Sequence, residues 1–127
     1  MLTPDQFAVN EAWIVVKVND AHLFVKDDPY DMYVIMDAGS TYVLGHALSK
    51  VSEGCPQEED VEAIFKKGWE AKQQWPKKLI VTGKSSAENI FKVIAEKHGM
   101  AIENVSLSSL STLVKPLKDS FSSSFNR

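Results

Sequence analysis

The hydrophobic period of this chain changes after Pro56, and that change limits what the chain can fold into. Before it, apolar residues come in short continuous runs. Trp13-Ile14-Val15-Val16-Lys17-Val18 is β-branched and aromatic, the composition of a strand. Asn19-Asp20 reads as a turn, His22 to Val25 continues in extended form, and Asp27-Asp28-Pro29 breaks it. Met32 to Asp37 suits a buried strand. Ala38-Gly39-Ser40 turns the chain and Thr41 to Leu48 returns, so residues 32–48 are predicted to form a hairpin.

After Pro56 the period becomes helical. Val61, Ile64, Phe65, Gly68, Trp69 and Lys72 share one helix face, led by Glu58, Glu59 and Asp60 at the positive end of its dipole. Trp75-Pro76 ends it. Leu79-Ile80-Val81 reads as a short central strand, and Ser85-Ser86-Ala87-Glu88 as a capping box with Ser85 as the cap. Ile90, Phe91, Ile94 and Ala95 form the next helical face, stopped by Gly99. Ile102 to Leu107 reads as a strand. A last helical stripe, from Leu110 to Phe121, contains Pro116, which should kink or split it. Thr3-Pro4-Asp5 suits a short helix start.

The order β-β-β, then α-β-α-β-α, predicts an α/β fold: antiparallel hairpins first, parallel crossovers later, one mixed five-stranded sheet flanked by helices. With 127 residues, 44% hydrophobic and 24% charged, the chain is expected to form a single domain over residues 1–119, with a frayed serine-rich tail at 120–127. No apolar run reaches the ~18 residues of a membrane span and no leader is recognisable, so a cytoplasmic protein is expected. Cys55 is the lone cysteine, which excludes an internal disulfide and a cysteine-based zinc site.

The net charge of −3 argues against a dedicated DNA-binding protein, although residues 1–63 carry −9 and residues 64–127 carry +6. Lysines such as Lys66, Lys67, Lys77, Lys78, Lys84 and Lys92 then read first as solvated helix faces, and second as a nucleic-acid surface.

The order resembles the ribonuclease H-like fold. The resemblance sharpens at Trp13 and at Tyr33-Val34-Ile35-Met36-Asp37-Ala38-Gly39-Ser40-Thr41-Tyr42-Val43-Leu44-Gly45, which is similar to the hairpin of integrase and transposase cores, with Thr41 where arginine is usual. Leu79-Ile80-Val81-Thr82-Gly83 falls where that family has its next strand and an Asp-x-Gly turn. The resemblance implies acids that hold two metal ions on a scissile phosphate. It places one acid three residues after the tryptophan, where Val16 stands, and another after the fourth strand, where Gly83 stands. The chain thus resembles a non-catalytic member, and also a bacterial domain family of unknown function with this pattern. A shifted register would instead offer Asp37 as the first ligand and Glu62 as the second, a degenerate metal-dependent nuclease.

Other motifs are weaker. Gly83-Lys84-Ser85 resembles the end of a phosphate loop, but Lys78 replaces its first glycine, so Lys84, Ser85 and Ser86 are at most an anion site at a helix start. His22, His46 and His98 have no metal spacing. Asp27, Asp28, Asp31 and Asp37 lack calcium-loop spacing and read as solvated loop acids. Trp69 fits a core face, whereas Trp75, before Pro76, is the candidate exposed interface anchor. No cofactor is expected. The leading expectation is a binding or assembly module whose partner is a protein or a second copy; nucleic-acid binding without cleavage is the alternative.

Overall fold

The computed structural model describes residues 1–83 and 85–125, the last four by backbone alone. Six strands form one mixed sheet: β1 (Ala12–Lys17), β2 (Leu23–Val25), β3 (Asp28–Asp37), β4 (Val43–Lys50), β5 (Lys78–Val81) and β6 (Ala101–Asn104). Three helices accompany it: α1 (Glu58–Lys72), α2 (Glu88–Lys97) and α3 (Ser111–Phe125). β3 runs antiparallel to β1, β2 and β4, while β5 runs parallel to β1 and to β6. Across the sheet the order is β4-β3-β1-β5-β6, with β2 on β3 beside β1.

The centre explains the sequence pattern. β1 has neighbours on both edges and helices over both faces, so Ala12 to Val16 are all buried and no alternation survives. On one face Trp13, Val15, Tyr33, Ile35, Leu79 and Val81 pack under α1 and α2, against Phe65, Phe91 and Ile94. On the other, Ile14, Val16, Val34, Met36 and Ile80 pack under α3, against Leu110, Leu113 and Val114. Gly68 lets α1 settle on the first core. A Cβ there would stand 2.6 Å from Trp13 Cη2, so even alanine forces that ring or the helix to move.

Four local expectations are corrected. The sheet has six strands, because the segment at His22 to Val25 forms a separate strand, Leu23–Val25. The break expected at Asp27-Asp28-Pro29 falls at Lys26-Asp27, and Asp28 and Pro29 already belong to β3. Lys26 and Asp27 both take positive φ, 50° and 71°, the backbone of a tight hairpin turn, and Pro29 lies within β3 opposite Phe24 at the sheet periphery. Leu107 lies in a 3-10 turn, Leu107–Leu110, and not in β6. Pro116 does not split α3. Pro116 is exposed, and the loss of its amide donor is outweighed by the opposite face of α3, where Leu113, Val114, Leu117 and Phe121 close the second core. The helix runs to Phe125; Asn126 and Arg127 lie outside the described residues.

Candidate functional site

The carboxyl ends of parallel strands are where α/β sheets place ligands. Here they are the ends of β1 and β5. The parallel register ends on the pair Ile14 and Ile80; Val16 follows two residues later on β1, and Thr82 and Gly83 follow β5. The residues there are not ligands. Val16 is 1% exposed and belongs to the core under α3. Gly83 has φ +72°, and a Cβ on it would stand 3.0 Å from Asn104 Oδ1.

One carboxylate does sit beside this end, and its oxygens are already engaged. Glu88, 2% exposed, accepts from the Thr82 amide (3.0 Å) and the Thr82 hydroxyl (3.2 Å), with a longer contact from the Ser85 amide (3.4 Å). Ser85 Oγ accepts from the Ala87 amide (3.1 Å) and lies 2.9 Å from the Tyr33 hydroxyl. The capping box read from the sequence is corrected: Glu88 reaches back to the Ser85 amide only at 3.4 Å, Ser85 Oγ takes the Ala87 amide and not that of Glu88, and the helix begins at Glu88 with Ala87, not Ser85, at the cap position. Burial pushes the Tyr33 phenol above its ordinary value, helped by Asp31 and Glu88 and opposed by its Ser85 contact. The Thr82 and Ser85 amides, which an anion would need, serve Glu88 instead. Ser86 is exposed and Lys84 lies outside the described residues.

Asp37 and Glu62 are not brought together by any contact. Asp37, 4% exposed, closes the β3–β4 turn: Oδ1 accepts from the Asn10 amide (2.8 Å), and Oδ2 from the Ser40 amide (2.9 Å) and hydroxyl (2.6 Å). Glu62 pairs with Lys97 at 3.0 Å across α1 and α2. Among the described residues no three His, Cys, Asp or Glu side chains gather to hold a metal ion. Trp75 is half-buried: its ring stacks on His98 at 4.0 Å and meets Trp13 edge-on at 6.2 Å. Trp69 is half-buried too, 6.3 Å from Trp75. Cys55 is exposed.

The described lysines named as a nucleic-acid surface lie on three elements and their flanks. Lys66 and Lys67 lie on α1, Lys92 on α2, and Lys77 and Lys78 at the amino end of β5. Lys78 pairs with Glu103 at 2.9 Å and lies 5.7 Å over the Phe7 ring.

A second polar cluster fastens the β1–β2 loop. Asn19, 3% exposed, donates to Asp31 (2.9 Å) and to the Ala21 carbonyl (3.1 Å), and accepts from the Met32 amide (2.7 Å); His22 Nδ1 is 2.8 Å from Asp31. Burial alone would push the Asp31 carboxyl up. The Asn19 and His22 hydrogen bonds, with Lys17 nearby, outweigh it and hold the carboxyl below its ordinary value of 3.8. Asp31 therefore contributes stability that is present above 3.8 and lost as pH falls through the lower folded-state value. Asp31→Asn should melt below the natural chain at neutral pH, and the gap should close on acidification below 3.8; a gap that stays constant there would refute the linkage.

No family model matches the chain, and no curated protein matches it. Among solved structures, the chain is similar to the HTLV-2 integrase catalytic core in complex with magnesium, trimeric form, at 13% identity and TM-score 0.48, over 93% of this chain and 75% of that one. The dimeric form gives 12% identity and TM-score 0.47, over 94% and 77%. A simian T-cell lymphotropic virus intasome in complex with a PP2A regulatory subunit gives 16% identity and TM-score 0.49, over all of this chain but only 45% of that one. These likenesses are too distant to carry any residue's role to this chain.

Proposed function

We propose that this chain is a non-catalytic module of ribonuclease H-like fold that works by binding, most directly to protein. The observation that carries the reading is the junction of β1 and β5. The two positions at which metal-binding acids would converge are a core valine, Val16, and a positive-φ glycine, Gly83. The nearby Glu88 and the alternative ligand Asp37 are both spent on backbone donors. A two-metal site needs free carboxylate oxygens converging on one point. The likeness to bacterial domains lacking the catalytic acids belongs with this reading. Protein is favoured over nucleic acid because the lysines are spread over separate elements, and α1 carries Glu58, Glu59, Asp60 and Glu62 beside Lys66 and Lys67.

Labelled single- and double-stranded DNA and RNA, titrated with the chain at low and high salt, with and without manganese, test it. No cleavage and no salt-sensitive binding are expected. Affinity falling steeply with salt, without cleavage, would move the reading to a nucleic-acid accessory module. Manganese-dependent cutting would overturn it.

A further inference from the structure

The geometry points to a specific mode of assembly: two copies of this chain joined edge to edge through β4, with their α1 helices antiparallel beside the joint. This deepens the assembly reading above by naming the partner. β4 pairs with β3 alone, so its outer edge presents unpaired backbone groups, and Val43 and Leu48 on it are each 38% exposed. Edges of this length invite another strand. Along it runs an open groove of about 430 Å³ between β4 and α1, lined among others by Gly45, Ala47, Leu48, Asp60, Ala63 and Lys67. It is open because its floor is small. Gly45 lies against Ile64, where a Cβ would already stand 3.2 Å from that side chain, and Ala47 and Ala63 add only methyl groups.

The charges on the groove's helical wall identify the occupant. Asp60, Ala63 and Lys67 follow i, i+3, i+7, one stripe of α1. A two-fold axis passing between Ala63 and Ile64 maps the position of Asp60 onto that of Lys67. Two antiparallel copies of the stripe therefore set Asp60 of each against Lys67 of the other, with the small Ala63 at the centre, where the helices must approach. Neither Asp60 nor Lys67 has an ion-pair partner among the described residues. β4 and α1 run in opposite directions, since Leu44 lies near Gly68 and Gly45 near Ile64. One axis thus serves antiparallel strands and antiparallel helices together. A patch complementary to itself in this way gives a closed, isologous dimer.

Sedimentation of the full chain over a concentration series tests the pairing, with Lys67→Glu, Asp60→Lys and the double exchange as variants. The natural chain should dimerise, more weakly at high salt. Each single variant turns two attractions into two repulsions and should weaken the dimer by about tenfold or more. The double exchange restores opposite charges and should recover it. A natural chain that stays monomeric throughout, a Lys67→Glu chain that dimerises unchanged, or a double exchange that recovers nothing would each overturn the proposal. Hydrogen exchange of the natural chain needs no variant to fold: β4 amides should gain protection as concentration rises, and flat protection would refute the joint. A monomeric chain without nuclease activity would leave the non-catalytic reading standing; a dimeric nuclease would do the reverse.

Discussion

Trp13→Ala should lose about 3–5 kcal/mol of folding stability, measured by urea denaturation. Native domains have only ~5–15 kcal/mol in total, so the variant should be partly unfolded or close to it. The size follows from what meets the ring. Trp13 is fully buried in β1, the strand with neighbours on both edges and helices over both faces. Its ring packs edge-on against Phe65 at 5.6 Å and Trp75 at 6.2 Å, and Nε1 donates to Asn10 Oδ1 at 3.0 Å. Gly68 has no side chain so that α1 can rest on this ring. Removing the indole leaves a cavity that the glycine backbone cannot fill. Trp13→Phe keeps much of the volume and loses the hydrogen bond, so a loss of about 1–2 kcal/mol is expected. Equal losses for the two variants would contradict this account.

Asp37→Ala should be the second large effect, about 2–3 kcal/mol, because it removes a side chain only 4% exposed that accepts from the half-buried Asn10 amide and from the amide and hydroxyl of Ser40. Asp37→Asn should lose somewhat less. Its amide offers one acceptor oxygen, and its NH₂ must face the Ser40 or the Asn10 donor. The comparison separates two roles for this residue. If Asp37 fastens the turn, both variants fall in stability at every magnesium concentration. If it is a metal ligand, Asp37→Asn keeps its stability and alters only the response to metal.

Much of the fold was legible in the sequence because each segment's period matched its surroundings. The continuous run at Trp13 to Val18 marked the doubly covered strand, and the stripe from Val61 to Trp69 marked the face of α1 that packs on it. The errors arose where tertiary neighbours override local preference. Pro29 reads as a breaker, yet it lies at the sheet periphery, where the left-handed Lys26-Asp27 turn carries the reversal. Pro116 reads as a kink, but the packing of Leu113, Val114, Leu117 and Phe121 holds the helix through it.

The site was less legible. Carboxylates look alike in a sequence. Asp37 and Glu88 differ from solvent-facing acids only in the donors that reach them, and one donor to Asp37 comes from Asn10, 27 residues away. No local signal marks that contact. The Ser85–Glu88 spacing reads as a cap, yet Glu88 is held chiefly by the Thr82 amide and hydroxyl, which no spacing marks. Trp75 was legible as an aromatic at a helix end; that His98 covers its face depends on α2 docking beside α1. The groove beside β4 was hidden for a similar reason, since an edge is defined by which strand is missing from it.

The proposed non-catalytic role requires that the junction of β1 and β5 hold no metal. Residue-resolved NMR of the ¹⁵N-labelled chain during a manganese titration tests it most directly, because paramagnetic broadening reports where the ion resides. The account predicts no selective loss of the Val16, Thr82 and Gly83 amide signals; at high manganese only diffuse broadening at exposed acids such as Glu58 and Glu59 should appear. Selective loss of the Val16, Thr82 and Gly83 signals at substoichiometric manganese would contradict it.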